Sequence, residues 1–258
     1  MSRNTAGART TAGTRTTAGT RTTAGARTTA SLSILSISDY IKSLSGLVLY
    51  YPFDETSGDA INRAPDTLGT LDGSVFNVTR GAVGLQGNAY SFNGTSSFVS
   101  TPDNNLLDIT EAITLLAIVK PLSTTGVNNT KTIMNKRMTA PYAYTLYSGE
   151  YAPDNAIPAF EFNNGSYLGG SASGGLTLGV SSLVVGTYDK VNITMYINSG
   201  AGNQTPQTAT LPSTADSFFV GKLGAGGFFF DGLIQHVSVF NRALTAAEVL
   251  GLANIAEL

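Results

Sequence analysis

Residues 228–250 read FFFDGLIQHVSVFNRALTAAEVL. After the apolar opening the stretch alternates. Leu233, Gln235, Val237 and Val239 fall on one side of an extended chain, and Ile234, His236, Ser238 and Phe240 on the other, the period of two that marks a strand in a packed sheet. Asn241-Arg242-Ala243-Leu244 ends the alternation. Thr245, with Glu248 three residues on, then carries a capping-box signature for a short closing helix.

Upstream, short apolar segments recur between Pro, Gly and Asn. Beyond an opening segment at Leu47, strands are predicted at about 89–93, 97–101, 113–119, 132–136, 142–147, 159–163, 176–180, 183–188, 192–198 and 218–221, with a turn-rich stretch over 59–87. A dozen short strands and one terminal helix predict an all-β protein, two antiparallel sheets face to face in a jelly-roll sandwich. A chain of 258 residues is long enough for one substantial core. The absence of cysteine excludes disulfides and thiolate metal sites. No apolar run approaches the ~20 residues that span a bilayer. The opening Met-Ser-Arg-Asn-Thr is polar, so Sec-type export is not expected.

Four stretches in order carry a family resemblance over roughly residues 47–250. They are LVLYYPFDETSG at 47–58, AYSFNG at 89–94 followed by Phe98-Val99, VVGTYD at 184–189 followed by 192–198, and the closing strand with its Phe240-Asn241-Arg242-Ala243-Leu244 corner. Together they resemble the laminin-G-like, concanavalin-A-like jelly rolls. That resemblance implies a two-sheet sandwich with one short C-terminal helix. It implies little about activity, because the scaffold hosts lectins, glucanases, adhesion modules and spacers.

Ahead of this body stand five hexapeptides, RNTAGA, RTTAGT, RTTAGT, RTTAGA and RTTASL, which place Arg3, Arg9, Arg15, Arg21 and Arg27 at a spacing of six. Six residues turn a helix by about 600° and would scatter the arginines. In an extended chain they all share one side. Collagen is excluded, since glycine recurs every sixth residue. The strip has too little apolar area to fold alone. It holds five of the fifteen basic residues and none of the seventeen acids, leaving net +5 on the arm and −7 on the rest. Dense basic clusters or interleaved aromatics, which nucleic acid would require, are missing. Docking onto other subunits of an assembly is therefore the favoured role of these arginines, with an inert tether as the alternative. The resulting division is an extended arm over 1–31, a joining segment with a short helix over 32–46, and the jelly roll over 47–258. In the joining segment Ser38 is the expected N-cap and Gly46 the stop.

Catalysis finds little support. Glycoside cleavage needs two carboxylates about 5–10 Å apart, and no E-x-D-x-E pattern is present. His236 is the single histidine, and its strand alternation suggests packing. The family resemblance implies a calcium ion, which takes six to eight oxygens. Here Gln235 stands where relatives carry an acid in the last strand, and Thr95-Ser96-Ser97 follows Asn93-Gly94 where relatives carry Asp. Both departures argue against the usual site. Asp54, Asn93 and Asp231 remain as oxygen ligands for a metal, or alternatively as turn and cap residues. No other cofactor is expected. For glycans, Tyr142, Tyr144, Asn163, Asn164 and Tyr167 offer aromatic rings and amides, against the alternative of ordinary sheet packing. Alternation places Tyr142 and Tyr144 on one face and Tyr147 opposite. Asn77-Val78-Thr79, Asn93-Gly94-Thr95 and Asn164-Gly165-Ser166 match the glycosylation sequon and are read as composition.

These readings converge on a non-enzymatic structural and adhesion protein: a lectin-like domain displayed on a virion surface as phage capsid decoration, head fibre or tail-fibre component. The arm would anchor it among other virion subunits as a homo-oligomer, and cell-surface glycans would be its outward partners. The alternative is a bacterial surface or extracellular carbohydrate-binding module.

Overall fold

Two sheets and two helices are stacked as three layers. The structure is a computed structural model; it describes residues 35–123, 131–149, 156–200, 202–224 and 226–258. The hexapeptide arm with its five arginines lies outside the described residues. The compact unit begins at Leu35.

The strands in chain order are β1 (Leu47–Tyr51), β2 (Ser74–Phe76), β3 (Thr79–Val83), β4 (Asn88–Asn93), β5 (Phe98–Thr101), β6 (Ile113–Pro121), β7 (Lys131–Lys136) and β8 (Tyr142–Gly149). They continue with β9 (Ala159–Asn163), β10 (Tyr167–Ser171), β11 (Ser182–Tyr188), β12 (Asn192–Ile197), β13 (Asn203–Pro206), β14 (Phe218–Val220) and β15 (Asp231–Phe240). Helix α1 spans Ile37–Ser43 and α2 spans Ala246–Ala256. The eight-stranded sheet runs β13-β12-β11-β6-β15-β4-β3, with β1 also on β15; the seven-stranded sheet runs β10-β9-β8-β7-β14-β5-β2. All pairings are antiparallel.

The closing strand organises the larger sheet. Its first half, Asp231–Ile234, pairs with β4, and its second half pairs with β1 through Val237, Ser238, Val239 and Phe240, while β6 flanks the other side. A bulge between Gln235 and Ser238 lies where β15 changes partner. There His236 takes a positive φ of 56°, a conformation that His adopts more readily than most residues. The extra residue reverses the expected faces. Ile234, Val237 and Val239 all enter the core between the sheets, whereas Phe240 packs outward. Strict alternation had put Val237 and Val239 with Leu233 and Gln235.

The outward side of the eight-stranded sheet holds a second core. Tyr50, Leu116, Ile118, Leu183, Val185 and Phe240 pack there against Ile37 and Ile41 of α1 and Val249, Leu252 and Ala253 of α2. This is why β6, ITLLAIVKP, is apolar almost throughout: both of its faces are buried. The closing helix carries the full capping box between Thr245 and Glu248. In α1 the N-cap is Ser36 and not Ser38; Ser36 Oγ accepts from Asp39 N at 3.1 Å. Ser38 instead lies 2.6 Å from the Tyr50 hydroxyl.

Two expectations of strand position change. Residues 176–180 form a turn, with Val180 N donating to Thr177 O and Gly179 at φ 74°, not a strand. Strands β2 and β3 fall in the stretch read as turn-rich, and β10 and β13 where no strand was expected; these four are the outermost strands of the two sheets.

Candidate functional site

Because helices cover the outer side of the eight-stranded sheet, the outer side of the seven-stranded sheet is the broad face left for a ligand. Its register gives the composition. Phe160 and Phe162 of β9 point into the core, so Glu161 and Asn163 point out, and β10 pairs Tyr167 with Asn163. On β8, Tyr142 pairs with Asn163 but Thr145 pairs with Glu161, a bulge that turns Tyr142 to the outer face while Tyr144 stays in the core. Tyr142 and Tyr144 therefore do not share a face, and Tyr147 lies on the side of Tyr142, the reverse of the expectation.

On this face four side chains form one network. The Arg137 guanidinium sits 3.8 Å from the centre of the Tyr142 ring, a cation–π contact. One arm of it, Nη1, donates to Tyr147 Oη at 2.8 Å and approaches Glu161 Oε2 at 3.4 Å. Tyr142 Oη donates to the same carboxylate oxygen at 2.9 Å. Burial, and after it the adjacent Glu161 carboxylate, hold the Tyr142 phenol far above its usual range, so it stays a neutral donor. Tyr167 leans on this base with its ring 6.1 Å from that of Tyr142 at 59°, and remains 64% exposed. Asn164 is exposed beside it; Asn163 is buried, and its Oδ1 accepts from Gly165 N at 2.9 Å to hold the turn.

The face continues toward β2. Asn135 Nδ2 donates to Lys222 O at 2.6 Å, which ties the β14–β15 connection across the sheet. Lys222 Nζ lies 4.0 Å from the Phe98 ring centre and 4.5 Å from that of Phe219, and burial lowers its pKa. Phe76 stacks on Phe98 at 4.5 Å. A rigid exposed ring with an amide at its side can stack on the apolar face of a sugar and bond its hydroxyls. Among the described strand residues of this face the register leaves one carboxylate, Glu161, and Tyr142 and Arg137 already engage it.

Of the five residues expected to bind glycans, Tyr142, Asn163, Asn164 and Tyr167 come together, with Tyr142 and Asn163 as buried support. Tyr144 does not join them; its hydroxyl donates to Leu107 O at 3.1 Å inside the core. The expected metal ligands do not converge. Asn93 and Asp231 are register partners, but Asn93 Oδ1 accepts from the backbone N–H groups of Thr95, Ser96 and Ser97. Asp54 accepts through its carbonyl from Asn88 Nδ2, at the far end of β4 from Asn93, about 16 Å away at ~3.3 Å per residue. No group of three or more His, Cys, Asp or Glu suited to a metal occurs among the described residues. Gln235 has a different duty: its Oε1 accepts from Leu85 N at 2.6 Å and fixes the β3–β4 turn.

Arg137 and Glu161 were missed by sequence reasoning. A signal for Glu161 exists in Phe160-Glu161-Phe162, where a charge alternates with two core aromatics. A second missed cluster lies apart from this face: Lys136 Nζ, with a fully buried side chain, is 2.7 Å from Asp103 Oδ1 and 2.9 Å from Asp108 Oδ1, and also donates to Thr214 O.

Comparison with known proteins gives three kinds of result. A sequence model of the concanavalin A-like lectin/glucanases superfamily matches residues 93–250. No curated protein sequence matches the chain. Among solved structures, the chain is similar to domain 4 of AbnA, a GH43 extracellular arabinanase from Geobacillus stearothermophilus, in complex with arabinotriose; identity is 19%, the TM-score 0.64, and 80% of this chain and 98% of that one are covered. It is similar to a botulinum neurotoxin type C structure whose cell entry is described as dependent on two ganglioside molecules, at 10% identity and TM-score 0.60, covering 83% of this chain and 52% of that one. It is also similar to a Trypanosoma rangeli sialidase in complex with a difluoro-KDN ligand, at 19% identity and TM-score 0.58, covering 81% of this chain and 32% of that one. This chain thus spans about half of the neurotoxin chain and a third of the sialidase chain. At these identities the likeness is one of fold.

Proposed function

The chain belongs to the concanavalin A-like lectin/glucanases superfamily, and on that premise we propose that it is a non-enzymatic adhesion protein that binds glycans on the outer face of its seven-stranded sheet. The observation that carries this reading is Tyr167, exposed and braced against the Tyr142–Arg137–Glu161 network. Preorganised rings lose little freedom on binding, which favours a shallow site for sugars. Among the described strand residues of this face Glu161 is the one carboxylate and is already engaged, which supports binding over cleavage, since hydrolysis needs an acid and a partner base or nucleophile. The similar arabinanase domain with bound arabinotriose supports neutral oligosaccharides as first probes.

The hexapeptide arm supports attachment to an assembly. Five arginines at a spacing of six, which an extended chain would present on one side, ahead of a body that is net acidic, suit docking along neighbouring subunits. We place the protein on a phage virion surface, as a homo-oligomeric decoration or fibre component; a bacterial surface module is the alternative.

A glycan array probed with the full chain, followed by calorimetry with the best ligand and with arabinotriose, tests the binding face. Tyr167→Ala is expected to weaken binding at least tenfold with the fold intact. Equal binding by both proteins, or no glycan bound by either, would overturn the assignment. Limited proteolysis at Arg9, Arg15, Arg21 and Arg27 tests the arm: protection in the native assembly and rapid cleavage of the free chain are expected, and equal cleavage in both would make the arm a tether.

A further inference from the structure

A groove of about 350 Å³ runs between β12, β13 and α2, on the helix-covered side of the sandwich and so on the opposite face from Tyr167. That volume lies within the range of small-molecule sites. Tyr196 lines one side and Leu250 of α2, 45% exposed, lines the other. Gly202 lets the β12–β13 turn lie against the tyrosine. A Cβ at that position would stand 2.7 Å from Tyr196 Cε1 and 2.4 Å from Thr194 Cγ2, so a side chain there would intrude on the groove. The Tyr196 and Ser199 hydroxyls and the Gln204 side-chain amide line the groove and have no hydrogen-bond partner among the described residues. Among the described residues none that lines it carries a charge.

We infer that this groove is a second saccharide site, selective for one or two neutral sugar rings. An aromatic ring facing an aliphatic wall suits the C–H face of a pyranose. The uncommitted hydroxyls and amide suit its hydroxyl groups, which lose water on entry and need replacement hydrogen bonds. A lining without a cation gives an acidic sugar or phosphate no counter-charge, and a lining without an acid gives an amine none. With the site around Tyr167 on the other face, one domain would hold two sugars at once and gain avidity on a glycan-coated surface.

The test is backbone amide chemical-shift mapping of the full chain titrated with maltose, cellobiose and lactose, with sialyllactose as the acidic comparison. Saturating shifts at 194–204 and 246–250 with at least one neutral disaccharide, and at least tenfold weaker response to sialyllactose, are expected. Leu250→Glu, an exposed helix position that leaves folding intact, is expected to abolish those shifts, as is Tyr196→Ala. Tyr167→Ala is expected to leave them unchanged, which separates this site from the one on the other face. Absence of shifts in these segments with every neutral sugar, or shifts that survive Leu250→Glu, would overturn the inference. So would a response confined to the uncharged apolar probe N-phenyl-1-naphthylamine, which would mark a surface for apolar side chains.

Discussion

His236 Nδ1 lies 2.7 Å from the hydroxyl oxygen of Tyr50, with the two rings parallel within 11°. The contact locks the bulge of the closing strand against β1, and Ser38 extends it to the first helix. His236 Nε2 is buried without a partner, and burial lowers the pKa of the ring from 6.5 to about 4.

The unfolded chain therefore takes up a proton near pH 6.5 that the folded one refuses until about pH 4. The His236 contribution to stability should be full above pH 6.5, fall by roughly 3 kcal/mol as pH drops through that window, and be fully lost below about pH 4. His236→Asn, which tolerates the positive φ, should flatten this part of a plot of Tm against pH. A wild-type Tm that is constant between pH 6.5 and 4 would refute the account.

Arg242 and Glu248 should govern a lower window. Arg242 reaches both carboxylate oxygens, at 2.7 and 2.9 Å, and with the Thr245 cap holds Glu248 at about 2 instead of the usual 4.5. The depressed carboxyl contributes stability above pH 4.5 that is lost as pH falls toward 2. Because the pair is partly solvated, Glu248→Gln should cost only about 0.5–1 kcal/mol at neutral pH. Urea unfolding at pH 7, pH 3 and below pH 2 checks both halves: the gap between variant and wild type should narrow at pH 3 and close only below about pH 2.

Lys136 should be intolerant of truncation. Its ammonium is buried between Asp103 and Asp108, so Lys136→Ala leaves two carboxylates facing each other without their cation. A loss of about 3–5 kcal/mol is expected in urea unfolding. Asp103→Asn should cost less, since Asp108 still faces the ammonium at 2.9 Å. A Lys136→Ala cost below that of Asp103→Asn would contradict this arrangement.

Tyr144 and Tyr167 should separate stability from binding. Tyr144→Phe removes one buried hydrogen bond to Leu107 O and should cost about 1 kcal/mol without altering glycan affinity. Tyr167→Ala, at an exposed ring, should alter affinity and leave the unfolding midpoint nearly unchanged. Paired calorimetry and urea titrations of the two variants read both quantities.

The amino-acid sequence by itself determined the class of fold, the closing strand with its helix cap, and the strands that lie inside the sheets. Those strands are buried on one or both faces, so β6, β9 and β11 carry their burial as apolar residues at a readable period. The four outermost strands were not legible for the opposite reason. Half solvated, with Gly81 in β3, Gly169 and Gly170 in β10, Pro206 in β13 and only three residues in β2, they have no sustained apolar pattern to show, and pairing with a neighbour makes them strands. Tertiary structure also decided which way key side chains face. One extra residue at His236 and another between Tyr142 and Thr145 reverse the inward and outward sides, sending Val237 and Val239 to the core and Tyr142 out to Glu161. A bulge leaves no mark in local composition, because it is set by the partner strands; here that is β6 for the first, where β15 passes from β4 to β1 on its other edge, and β9 for the second. The candidate site rests on that second bulge, which is why its tyrosines and asparagines were legible and the Arg137–Glu161 base beneath them was not.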